Sequence, residues 1–208
     1  TTSEEALSGN REISYTYNAN PSGDYLDLTT YSRYWTSETE YTEPGLTASS
    51  NASWCTVNGL KYNVPCNNTL SERTATITYT QSGSGYKAYI YVTQIAGECV
   101  LNANEEVILE MNNSEFAVNQ TISVTSYIGC NWVPVDITTS GSGFEIDDSS
   151  ISNNVTTNGY SIFPTKVITS STEGEIVTLG TITFTQNSNL CNKSVSVIVK
   201  QKTKHGCN

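Results

Sequence analysis

Nucleophilic catalysis of the serine or cysteine kind needs a base beside the nucleophile. This chain has a single histidine, His205, in the terminal run Lys202-Thr203-Lys204-His205. A chain end frays, so His205 is expected to be solvated and unsuited to general-base work. Glycoside hydrolysis needs two carboxylates at a fixed separation. Asp24 follows Gly23 and Asp148 precedes Ser149, with Asp27 and Asp147 close by, a turn-like setting that reads as solvated loop charge. Zinc would call for cysteines two to four residues apart, whereas the closest pair here is Cys55 and Cys66. Calcium accepts loop carboxylates and carbonyls, so Asp24 with Asp27 and Asp147 with Asp148 are weak calcium candidates. No glycine-rich phosphate loop or dinucleotide fingerprint is present. The expectation is a protein that is not an enzyme and carries no cofactor.

The six cysteines allow fifteen pairings, which sequence alone does not resolve. Cys55 and Cys66 flank one hairpin region and form the favoured pair. Cys99 and Cys207 close equivalent units, Cys130 and Cys191 could join two strands, and free thiols remain the alternative. One constellation suggests a binding role: Tyr31-Ser32-Arg33-Tyr34-Trp35, with Tyr25 and Tyr41 nearby. Exposed rings stack on the C–H faces of sugars, while hydroxyls and amides supply hydrogen bonds. The competing reading has these rings filling a sandwich or an interface, since Tyr and Trp suit strands anyway.

The elements that position these groups follow from composition and periodicity. The 208 residues include 30 Thr, 26 Ser, 21 Asn and 13 Tyr, with 14% charged residues. Thr, Tyr, Val and Ile suit a half-buried pleated surface, and helix-favouring runs are nearly absent. The formal charge of −10 argues against nucleic-acid binding, which needs clustered Lys and Arg, and against anionic lipid surfaces. No apolar run approaches the ~20 residues of a membrane span. Thr1 reads as a processed N-terminus or a boundary. Cysteine usage favours an oxidising, extracellular or cell-surface location, with a virion surface as the alternative. The six glycosylation-acceptor matches are what so much Asn, Ser and Thr produces by chance.

The chain also repeats itself. Thr76-Ile77-Thr78-Tyr79-Thr80-Gln81 returns as Thr181-Ile182-Thr183-Phe184-Thr185-Gln186, and Val92-Thr93-Gln94 returns as Val199-Lys200-Gln201. Ala75, Ile77 and Tyr79 alternate with threonines, and Ala88, Ile90 and Val92 alternate across a Gly/Ser turn. In the second copy Ile182 and Phe184 answer Val195, Val197 and Val199. Period-two patterning around a polar connection predicts a hairpin with one buried face. Ile13, Tyr15 and Tyr17, then Val107, Leu109 and Met111, then Ile122 and Val124, predict further short strands, with Pro134 at an edge or bulge. Trp54 and Trp132 each follow a polar turn and precede a short apolar strand, and Trp54 is expected in the core. The stretch from Trp132 to Thr181 is more than twice as long as that from Trp54 to Thr76, which predicts extra strands or an excursion. The expected fold is all-β, with two tandem sandwiches over residues 1–97 and 98–208, the second carrying a longer middle insertion.

Ser53-Trp54, Asn67-Asn68, Arg73-Thr74-Ala75-Thr76-Ile77-Thr78 and Val92-Thr93-Gln94, in that order, resemble the BACON domain. That family is an immunoglobulin-like sandwich of gut Bacteroidetes and their phages. The second copy keeps Thr181-Ile182-Thr183 and Val199-x-Gln201 but lacks the Arg, and its Cys130 precedes Trp132 instead of following it. It is thus a divergent relative. The resemblance implies tandem BACON-like sandwiches without catalytic residues, and either carbohydrate or mucin binding and adhesion or a spacer role. It also implies an alternative: a structural virion component, such as a fibre, tail or capsid decoration, of a Bacteroides (crAss-like) phage. The expected partner is a glycan or a protein in a larger assembly.

Overall fold

The computed structural model describes residues 11–17, 34–35, 41–42, 45–82, 85, 87–110, 119–149, 151–154 and 156–205. No helix occurs among them. The chain divides into two compact units, Thr1–Gly97 and Glu98–Asn208.

In the first unit the strands are β1 (Arg11–Tyr17), β2 (Tyr34–Trp35), β3 (Tyr41–Thr42) and β4 (Leu46–Ser50). They continue with β5 (Thr56–Asn58), β6 (Lys61–Asn63), β7 (Arg73–Gln81) and β8 (Lys87–Gln94). One sheet has the order β1-β8-β7-β4, and two small hairpins pair β2 with β3 and β5 with β6. The alternation in β7 and β8 does what period two predicts. Ala75, Ile77, Tyr79, Ile90 and Val92 are buried against Cys55, Tyr62 and Val64, while Thr74, Thr93 and Lys87 face outward.

The second unit opens with β9 (Cys99–Asn102), β10 (Glu106–Leu109), β11 (Gln120–Ile128) and β12 (Asn131–Trp132). Next come β13 (Val135–Gly141), β14 (Phe144–Ile146), β15 (Ile151–Asn154) and β16 (Thr157–Pro164). The last are β17 (Thr169–Ser170), β18 (Ile176–Gln186), β19 (Ser194–Lys202) and β20 (Lys204–His205). A sheet of order β10-β19-β18-β13 faces a sheet built on β12-β11-β16-β14, in which β9 joins β11 and β15 joins β16. Val107, Leu109, Ile182, Phe184, Val197 and Val199 from the first meet Leu101, Ile122, Val124, Phe144, Tyr160 and Ile162 from the second. At ~1.5–3 kcal/mol for each fully buried large side chain, this double layer is what holds the unit together.

The two units share the topology of one four-stranded sheet. In each, an early strand pairs in parallel with the second strand of the late hairpin, β1 with β8 and β10 with β19. In each, the closing hairpin is flanked on its other side by an antiparallel strand, β4 on β7 and β13 on β18. Sheets of this connectivity packed face to face are immunoglobulin-like sandwiches, and the chain carries two in tandem.

The shared topology corrects two sequence expectations. Trp54 follows β4, but Trp132 precedes β13, so the two tryptophans are not equivalent. Measured from the matching strands, the intervening segments are residues 51–72 and 142–175, a smaller difference than the tryptophans suggest. The second of these contains β14 to β17. Pro134 lies between β12 and β13, where no ladder needs its missing N–H.

The cysteines are also rearranged. Cys55 is a buried free thiol, so the favoured Cys55–Cys66 pair does not form. Cys191 bonds Cys99, which excludes both Cys130–Cys191 and Cys99–Cys207. Cys66 and Cys130 are disulfide-bonded too, and Cys207 lies outside the described residues. Cys99 and Cys191 sit with Ile128 and Val133 in a small cluster of their own.

Candidate binding surface

The residues that carry the family resemblance converge inside the first unit. The Arg73 guanidinium lies 4.2 Å from the centre of the Trp54 ring. Its Nε donates to Gln94 Oε1 at 2.8 Å, and one terminal nitrogen donates to the carbonyls of Pro65 and Cys66. The Gln94 amide donates to Pro65 O at 2.9 Å. Asn67 is fully buried; its amide reaches Ser71 O and Ile95 O, and its oxygen accepts from the backbone and hydroxyl of Thr69. Apart from the Arg73–Gln94 bond and the Thr69 hydroxyl on Asn67, the bonds in this set hold backbone in place. The motif is a structural lock, and one of the chance acceptor sites, Asn67, is closed by it.

The closing glutamines follow the same logic. Gln94 ends β8 and Gln201 stands one residue before the end of β19, and each donates to a loop carbonyl, Pro65 O before β7 and Lys166 O before β17. Gln186, closing β18, reaches Val100 O and Ser126 Oγ. A buried amide that finds backbone partners satisfies both strand ends and the loop it touches. Trp54 is half-buried against this core. Trp54→Ala should therefore destabilise by ~3 kcal/mol, the lower end for so large a truncation. Urea unfolding measures it, and an unchanged midpoint would mean that the ring carries no packing.

Beneath the lock, Tyr79 donates its hydroxyl to Leu60 O at 2.8 Å. Burial pushes its pKa up to about 12, and the neighbouring Cys55 adds to the shift. Burial likewise pushes the Cys55 thiol up, against the pull of Arg73 and a hydrogen bond with Ser50. Both groups hold protons more tightly folded than unfolded. Stability is therefore full below their unfolded pKa values and falls as pH rises through the window up to about 12. Thermal melts across that window should show Tyr79→Phe losing less stability than the parent. Equal slopes would place the alkaline sensitivity elsewhere.

The expected sites fare unevenly. Tyr34 and Trp35 form β2 and Tyr41 opens β3, with Trp35 opposite Tyr41 and Tyr34 opposite Thr42. Tyr25, Tyr31, Asp24 and Asp27 lie outside the described residues. Asp147 Oδ1 accepts from the Ser149 backbone and hydroxyl, which holds its carboxyl below the usual range. No group of three metal-ligating side chains occurs among the described residues. His205 stands in β20, in register with Ser170 of β17, and so is part of a strand pair instead of a frayed tail. Ser170 donates its hydroxyl to Glu175 at 2.8 Å.

What sequence reading missed is the outer face of the β1-β8-β7-β4 sheet. Tyr89 and Tyr91 stand there side by side, ring centroids 6.4 Å apart and planes within 12° of parallel. Tyr91 is 38% exposed. Register surrounds them with hydroxyls. Ser14 and Thr76 flank Tyr91, Thr78 adjoins Tyr89 with Ser49 beyond it, and Thr16, Thr93 and Thr74 form the next row. The signal was present in the alternation: if Ala88, Ile90 and Val92 point inward, two large rings must point outward.

The second unit shows that the sheet does not require these rings. Ile198 lies opposite Thr181 as Tyr91 lies opposite Thr76, and Ser196 lies opposite Thr183 as Tyr89 lies opposite Thr78. There the hydroxyls bond one another, Thr183 with Ser196 at 2.8 Å and Thr185 with Ser194 at 2.9 Å.

Fold and surface together define a tandem immunoglobulin-like sandwich protein with one aromatic, hydroxyl-rich sheet face. No family model and no curated protein matches the chain. Among solved structures it is similar to an endo-fucoidan hydrolase of glycoside hydrolase family 107, with 11% identity and a TM-score of 0.38 over 98% of this chain. The chain spans 29% of that hydrolase. It is also similar to domains 4 and 5 of the S-layer protein SbsC, with 15% identity and a TM-score of 0.44, covering 77% of this chain and 80% of that one. Human protocadherin-24 EC1-2 is similar at 9% identity and a TM-score of 0.32, covering 93% and 94%.

Proposed function

We propose that the chain is a non-catalytic surface module that binds carbohydrate and works in adhesion. The observation that carries this reading is the Tyr89–Tyr91 pair on an outer sheet face set with Ser and Thr. Aromatic rings supply the apolar contact that a sugar C–H face needs, and flanking hydroxyls supply donors and acceptors. Tyr and Ser are also the residues of adaptable binding surfaces in general. The Cys99–Cys191 disulfide supports an oxidising location outside the cytoplasm. Rings of this kind contribute ~1 kcal/mol each, so one module binds weakly and gains strength from many copies.

A glycan array probed with the multivalently displayed chain tests the reading, with Tyr89→Ala, Tyr91→Ala as one comparison and Trp35→Ala, Tyr41→Ala as the other. Loss of signal in the first, with an unchanged melt, supports the β8 face. Loss only in the second would move the site to the β2–β3 hairpin. No binding by the parent would leave a structural building block, as in a virion, as the better account.

A further inference from the structure

Resting on that reading, we infer that the ligand of the β8 face is a neutral, extended polysaccharide bound along its length, not an anionic glycan and not a terminal sugar.

Three observations lead there. First, the rings are two and parallel, offset along a single strand. A ligand that repeats along its own axis meets the same apolar surface twice, whereas one terminal sugar meets it once. Second, the hydroxyls run in rows across the sheet on both sides of the rings, with Ser14 on β1, Thr76 and Thr78 on β7, and Thr47 and Ser49 on β4. Hydroxyl–hydroxyl contacts suit uncharged sugar rings, and a face so wide and evenly polar suits a chain lying across it.

Third, the charge is wrong for a polyanion. Among the described side chains of this face Lys87 is the sole cation. The whole chain carries −10. Sulfated or uronate-rich glycans are recognised by clustered Arg and Lys, and a net negative protein repels them. Mucin-type binding through sialic acid or sulfate is therefore disfavoured on this face, within the carbohydrate reading as a whole.

The second unit supplies the variant that tests this without breaking the fold. It carries Ser196 and Ile198 where the first carries Tyr89 and Tyr91, so Tyr89→Ser, Tyr91→Ile installs the residues that the equivalent strand carries. Affinity electrophoresis would run the full chain through gels containing a neutral β-1,4-glucan, a neutral mannan, polygalacturonate or a sulfated galactan. The expected result is retardation by a neutral chain that changes little between about 0.05 and 0.5 M salt. It should weaken about thirtyfold in the double variant, as loss of two ring contacts of ~1 kcal/mol each implies. Oligosaccharides of the same polymer should bind more tightly as they lengthen, with the monosaccharide inactive.

Binding confined to the anionic polymers, binding undiminished in a folded Tyr89→Ser, Tyr91→Ile variant, or a monosaccharide as effective as the chain would each overturn this inference while carbohydrate binding stands. No retardation by any polymer and no array signal would overturn both together.

Discussion

Replacing Gly180 with alanine is expected to destabilise the second unit by at least ~3 kcal/mol, beyond the usual cost of overpacking. Gly180 of β18 pairs with Gly141 of β13, where β18 shifts register against β19 between Thr178 and Gly180. A Cβ on Gly180 would lie 1.9 Å from Ser140 O and 2.9 Å from Gly141 Cα. Those neighbours are backbone, so nothing flexible can swing away. Gly141 is bound in the same way, at φ +99° with Leu179 O 2.2 Å from its own missing Cβ. Gly45→Ala is the control, because nothing lies within 4 Å of a Cβ there. Urea unfolding should leave Gly45→Ala within about 0.5 kcal/mol of the parent. If Gly180→Ala unfolds at the parent's midpoint, the β13–β18 register is wrong.

The second large effect belongs to the Cys99–Cys191 disulfide. It ties β9, in one sheet, to the β18–β19 connection of the other, with a sequence separation of 92. Closing so long a loop restricts the unfolded chain, and a chain-entropy treatment puts the stabilisation at ~4–5 kcal/mol. Cys99→Ala, Cys191→Ala should lose stability of that order in urea, and a reductant should lower the parent's midpoint by more than it lowers the variant's. Both sulfurs are buried, so reduction of the folded parent should also be slow. Equal stability of parent and variant would show that the bond adds nothing to the native protein.

The strands were legible in the sequence because period two leaves a mark on neighbouring residues: Thr76 to Gln81 and Thr181 to Gln186 announce their sheets directly. The cysteine pairing was not, because Cys99 and Cys191 meet only after two sheets have closed on each other. Nearness in sequence favoured Cys55 with Cys66, and the fold buries Cys55 unpaired. The tryptophans misled for a related reason. A polar turn before a short apolar strand is a local resemblance, and it recurs at different points of the topology. Buried glutamines were hidden by their polarity, since only the loop carbonyls that reach them explain why Gln94 and Gln201 are interior. For the candidate surface, the rings crowded in sequence at Tyr31 to Trp35 outweigh the spaced pair on β8. Tyr89 and Tyr91 were readable from the alternation of β8 alone, once the outward positions were given the same weight as the inward ones.

The parallel pairing of an early strand with a late one in each unit has a consequence for how the chain is made. Arg11 of β1 aligns with Ala88 of β8, and Glu106 of β10 with Ile198 of β19. At ~5–20 residues per second, a ribosome delivers the partner of each opening strand only several seconds after the strand itself. Until then β1 and β10 leave the tunnel as unpaired edges, able to join whatever strand passes nearby. Contacts this distant in sequence also make closure slow in the finished chain. Helpers that shield nascent chains should matter most in those seconds, and joining β8 to β1 in a permutant would demand a crossover that runs back along the sheet, because the two strands point the same way.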